Sequence, residues 1–198
     1  MKQELFKGTH SFYGIDRKAW RNWLYKNHAT EKNVWLILYS KNTSKTSPSW
    51  DEAVEEALCF GWIDSTTYKR DAESRYQFFC PRKPKGNWSS RNKDTVTRLI
   101  AEGQMKEAGM KMIDLAKATG TWDALNDVEQ EKIPDDLMKL FLKNKTALKN
   151  FEAIPKSARR GILGWIHQAK RAETRSARMD ETIRLAKDNI RANQPLKK

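Results

Sequence analysis

No run of about 18 apolar residues, the length that a membrane-crossing helix needs, occurs in this 198-residue chain. The opening MKQELFKGTH lacks an apolar core followed by a small-residue cleavage site, so a cytoplasmic location is expected. Cysteine is scarce. Cys59 and Cys80 have no metal or redox spacing, which argues against a disulfide framework or a zinc module. His10, His28 and His167 are scattered, so no metal and no cofactor is expected. G-x-S-x-G, phosphate-loop and dinucleotide fingerprints are missing as well. Gly161-x-x-Gly164 lies inside a helical pattern and suits close helix packing. There is no internal repeat and no low-complexity tract.

Apolar material is sufficient for a core: 38% of residues are hydrophobic, and eight are Trp. Disorder along the whole chain is therefore not expected. Acids are outnumbered, with 38 Lys and Arg against 25 Asp and Glu, a net charge of +13. That excess suits an anionic partner (a small ligand, an acidic protein or nucleic acid), or it is simply a solvated surface.

Asp16 caps a predicted helix whose apolar positions are Ala19, Trp20, Trp23 and Leu24. Asn33–Ser40 (NVWLILYS) predicts a buried central strand. Ser49 and Glu52 form a capping-box pattern that opens a helix ended by Gly61. Trp62–Tyr68 and Arg75–Cys80 predict a strand pair around a polar turn. From Ser89 onward the pattern is helical. One face carries Thr95, Val96, Leu99 and Ile100, and the next carries Ala108, Met112, Leu115 and Ala116. A boundary is expected near Thr121–Lys132, with Trp122 and Leu125 packing back on the first section. Beyond it come short helices and a last one from about Glu173, with Met179, Ile183, Ala186 and Ile190 as its stripe. Residues 194–198 are expected to fray.

Three stretches are distinctive together: WDEAVEEALCFGWIDS from Trp50, FCPRKPKGNWSSRN from Phe79 and ARRGILGWIHQAKRAETRSAR from Ala158. On these the chain resembles the YdeI/OmpD-associated family, the bacteriocin-protection proteins, over nearly its whole length. The resemblance implies an α+β domain over 1–125, similar to the YjbR/CyaY-like antiparallel sheet with packed helices. It also implies an all-helical OmdA-type module over 133–194. It further implies a role in tolerance to bacteriocins or cationic antimicrobial peptides, with no established enzymatic activity. The DNA-binding label of related folds is only an analogy of fold. The chain departs from the family pattern at Ile154-Pro155, where Ser often precedes the Pro, so that helix lacks a side-chain cap.

Two constellations are candidates for binding. Arg82, Lys83 and Lys85, stiffened by neighbouring prolines, form a cationic rim beside Asp64, with Trp62 and Trp88 as flat walls. Such a mix suits a small anionic ligand with an apolar body, although an Asp64–Arg pair with both Trp packed in the core explains it at least as well. Between Lys139 and Arg191 stand 14 Lys and Arg against 5 Asp and Glu. Arg159, Arg160, Lys170, Arg171, Arg175 and Arg178 are the candidates there for nucleic acid or another polyanion. Glu52, Glu55 and Glu56 share a helix that Asp64 follows, but solvent exposure and the helix dipole explain them better than acid–base catalysis does. A non-catalytic binding protein is therefore the expected function. A polyanion-binding protein and an enzyme at the Asp64–Arg82 region remain as alternatives.

Overall fold

In the first unit the chain runs β1 (Leu5–Phe6), β2 (Thr9–Phe12), α1 (Arg17–Asn27), β3 (Val34–Tyr39), α2 (Trp50–Cys59), β4 (Trp62–Lys69), β5 (Ser74–Pro81), α3 (Ser90–Ala101) and α4 (Glu107–Ala118). The second unit holds α5 (Asn126–Glu129), α6 (Asp135–Leu142), α7 (Lys145–Glu152), α8 (Lys156–His167) and α9 (Ala172–Lys187). The computed structural model describes residues 4–194, and the break between the units falls between Asp123 and Ala124. The expected fraying concerns residues that, beyond Gln194, lie outside those described.

The class is α+β. A five-stranded, mostly antiparallel sheet in the order β1-β2-β3-β5-β4 is followed by helices. β3 is central and buried on both faces, as its unbroken apolar run predicts. One pairing departs from the expected antiparallel sheet: β2 runs parallel to β3, matched only at Ser11↔Trp35 and Phe12↔Leu36. The β1–β2 hairpin was not predicted from sequence, because LF and THSF are too short to show a period of two.

Alternation on β3 decides the packing. Val34, Leu36 and Leu38 join the main core with Trp20, Leu24, Trp62 and Phe79, while Trp35 and Ile37 join Tyr76 in a smaller cluster on the other face. The helix starts are fixed locally. Asp16 accepts from Ala19 N at 2.7 Å, and Ser49 and Glu52 complete a reciprocal capping box. Gly61 ends α2 at φ +74°, in the left-handed region where a side chain is strained.

The α2–α4 contact is a backbone one: a Cβ on Gly109 would lie 2.4 Å from Cys59 O. That contact sets the rotation of α4, so its buried stripe is Gly109, Ile113 and Ala116: of the expected face Ala116 is buried and Met112 packs on the core, whereas Leu115 is exposed. Trp122 packs back on this core as expected, against Trp88. Leu125 falls beyond the break, at the start of α5.

The second unit closes around Leu137, Phe141, Phe151, Ile162, Leu163 and Ile166. α8 starts after Pro155 without a side-chain cap, as the Ile154-Pro155 departure predicts. Ile190 corrects the expected α9 stripe. Asn189 takes φ +56° and Ile190 N donates back to Leu185 O at 2.9 Å, so the helix stops and Ile190 is left half exposed.

Candidate functional site

Asp64 stands where β4 becomes irregular. Pairing runs Asp64↔Phe79 and resumes at Thr67↔Gln77, so Ser65 and Thr66 oppose a single residue of β5. Such a bulge bends the strand and re-aims the side chains beside it. The Asp64 carboxylate accepts from Trp50 Nε1 at 2.9 Å and from Gln77 Nε2 at 3.2 Å. Trp50 is the first residue of α2, directly after the Ser49 cap, so the capping box also sets where that indole reaches the strand. Burial pushes the Asp64 carboxyl above its ordinary range, against the Trp50 hydrogen bond and the charges of Arg91 and Arg82.

Arg82 follows β5 immediately and is only 6% exposed. Its backbone N–H donates to Gly61 O at 2.9 Å, its Nη2 donates to Asn87 O at 2.6 Å, and its guanidinium lies 3.8 Å from the Trp88 ring centroid. The Nε is buried and has no hydrogen-bond partner among the described residues. Burial pulls the Arg82 pKa down to about 10, with the Asp64 charge acting the other way. Each group feels the other's charge, yet the hydrogen bonds of each go elsewhere. A buried donor left unmatched costs roughly 1–3 kcal/mol and calls for a reason.

The other expected residues are placed differently. Trp62 is a core residue, 1% exposed, edge-on to Trp23 with its Nε1 donating to His28 O. Trp88 is 2% exposed and offers its face to Arg82. Lys83 and Lys85 lie exposed on the turn closed by Gly86 N to Lys83 O. Trp50, Gln77 and Arg91 were missed from sequence. Arg91 lies 4.7 Å from the Trp50 centroid and pairs with Asp51. The only available signal for Trp50 was chemical, in that an indole N–H buried at a helix start needs an acceptor.

The α2 acids are all committed. Glu52 closes the capping box, and Glu55 pairs with Arg17 and Arg98. Glu56, expected on a solvent-exposed face, is 2% exposed and held by Arg17 at 2.6 Å and Arg21 at 2.5 Å. Two opposing guanidinium groups make that burial tolerable, and sequence spacing alone could not show them.

In the second unit most of the expected cationic residues are engaged. Arg159 pairs with Glu131, Arg160 with Glu129 at 3.3 Å and Arg175 with Asp136 at 2.8 Å. Arg178 donates to Trp165 O and lies 4.9 Å from that ring's centroid. Lys170 and Arg171 are exposed. The Arg175 hydrogen bond holds the Asp136 carboxyl below its ordinary range, burial opposing it. A carboxyl depressed in the folded state stabilises at neutral pH and loses that contribution as pH falls through its folded value. Arg175→Gln should therefore destabilise the second unit by under about 1 kcal/mol at pH 7, because the pair is largely solvated. The difference from wild type should vanish near pH 2. Urea titrations at the two pH values check this, and a gap that persists at low pH would refute it.

Among the described residues no helix is long and apolar enough to cross a membrane. Two family models match the chain. Residues 12–112 match "Domain of unknown function (DUF8412)", and residues 132–189 match "Bacteriocin-protection, YdeI or OmpD-Associated". No curated protein and no solved structure matches. The family that matches the first unit has no assigned function, and the YjbR/CyaY likeness of that unit rests on its residues alone.

Proposed function

We propose a ligand-binding function for this chain, which belongs to the DUF8412 family and carries a YdeI/OmpD-associated module in its second unit. The first unit would hold a small anionic ligand between Arg82 and Asp64, without transforming it, and this binding would serve tolerance to bacteriocins or cationic antimicrobial peptides. One observation carries the reading: Arg82 is buried and stacked on Trp88 with Nε unmatched, beside a half-buried carboxylate to which it is not hydrogen-bonded. A ligand with an acceptor group for the guanidinium and a donor for Asp64 would satisfy both. The tolerance role is supported by the bacteriocin-protection name of the family that the second unit matches.

The binding test is a thermal-shift screen of the purified chain against small carboxylates and phosphate esters, because a ligand of the native state raises the melting midpoint. A hit is expected to shift wild type, and the shift should be lost in both Asp64→Asn and Arg82→Met. In cells, gene deletion should sensitise to a cationic peptide, and wild type but not Asp64→Asn should restore survival. A fully restoring Asp64→Asn, with no compound shifting the wild type, would remove the proposal.

A further inference from the structure

A cavity of about 690 Å³ lies in the first unit along the β2 side of β3. It owes its existence to the short parallel pairing. After Phe12 the chain turns away through Gly14, where a Cβ would sit 3.1 Å from the Phe12 ring, and so leaves Ile37 and Tyr39 without a β2 neighbour. The cavity wall runs from Asn33 to Tyr39, about 20 Å at the rise of a strand. Its volume is in the range of sites that enclose a small organic molecule.

The lining has two chemical characters. Phe12 and Trp23 form one aromatic pair, with centroids 5.7 Å apart, and Tyr13 and Tyr39 form another at 5.3 Å. Both pairs are already in contact, so a flat guest would lie against a pair and not between its members. The second character is polar. His10 and Glu31, both exposed, and half-buried Asn33 line the cavity, and among the described residues no hydrogen bond engages their side chains, so a guest would compete only with solvent for them. Charge is balanced, since Arg70 is paired with Glu4, leaving Glu31 and Lys45 of opposite sign. A strongly charged guest has no matching field there, whereas a neutral one has a stacking surface and a hydrogen-bonding edge.

We infer that this cavity is a binding site for a neutral nucleoside-class ligand: a flat heteroaromatic ring stacked on the aromatic wall, with ring-edge and diol groups bonded to Asn33, Glu31 and His10. The site is separate from the Asp64–Arg82 cluster, whose residues do not line it. Stacking tolerates many rings because every base has a π-face. Asn33, with both a donor and an acceptor in its amide, supplies the choice of ring edge.

The test is a titration of the ¹⁵N-labelled full chain with adenosine, cytidine and uridine, with maltotriose as a saccharide probe. At least one nucleoside is expected to shift the amides of Phe12, Tyr13, Ile37 and Tyr39 saturably, leaving those of Trp50, Asp64 and Arg82 unmoved. Asn33→Ala should weaken that binding about tenfold, the worth of a well-made hydrogen bond. Tyr13→Ala, at a site already 39% exposed, should weaken it at least as much without unfolding the chain. Silence with all three nucleosides overturns the inference. So do a response to maltotriose alone, shifts confined to the Asp64–Arg82 cluster, and wild-type affinity in both variants. Failure here leaves the Asp64–Arg82 reading untouched, because the two are read on different amides.

Discussion

Replacing Arg17 and Arg21 together by leucine should cost the first unit about 3–5 kcal/mol, the usual penalty for stranding a buried charge. Glu56 is 2% exposed, and both of its carboxylate oxygens are taken by these two guanidinium groups. Arg21 also reaches Gln104 O at 2.8 Å, so the same side chain ties α1 to the loop after α3. Without the arginines the carboxylate faces Cys59 and the apolar side of α2. Adding Glu56→Leu to the double variant should recover most of the loss, because a buried ion pair exchanged for apolar groups of similar volume is often neutral. Urea unfolding of the three proteins checks this. A double variant as stable as wild type, or a triple variant no better than the double, would show that Glu56 is not held as a buried ion.

In the second unit the largest effect is expected from Phe141→Ala. Phe141 and Phe151 are both fully buried, with ring centroids 4.9 Å apart, and they join α6 to α7. Removing one ring leaves a cavity that short helices cannot readily collapse, costing about 3–5 kcal/mol. Amides of α6, α7 and α9 should then exchange with solvent much faster, since α7 also packs on α9 through Asn150 Nδ2 to Ala186 O at 2.9 Å. Hydrogen exchange resolved by mass spectrometry measures this directly. Unchanged protection over these three helices would mean the pair is not the centre of that core.

Much of the fold was legible because it is encoded locally. The Asp16 cap, the Ser49–Glu52 capping box, the Gly61 stop and the apolar run of β3 each act within a few residues of themselves, and the structure shows each where the pattern places it. The misses are of another kind. The β1–β2 hairpin rests on six strand residues, too few to show a period of two, and the parallel partners of β2 lie far along the chain in β3. On α4 only Leu115 was misplaced, because a glycine contact to the Cys59 carbonyl, and not the apolar count, decides which side faces inward. The last stripe residue was misplaced because Asn189 adopted the left-handed conformation one position before Ile190.

The candidate sites divide in the same way. Asp64, Arg82 and Trp88 were found from their rarity and spacing, while Trp50 and Gln77, which hold the Asp64 carboxylate, come from separate elements with no shared motif. The basic C-terminal residues look free in one dimension, whereas in three Glu131, Glu129 and Asp136 answer Arg159, Arg160 and Arg175.

By itself the sequence determined the starts of α1 and α2, the Gly61 stop, the central strand and the excess of positive charge, because propensity, capping and composition are properties of short windows. Only the tertiary structure decided which charges are spent on one another, which face of each helix turns inward and where a cavity remains. Those outcomes depend on distances between residues far apart along the chain, which no local pattern contains.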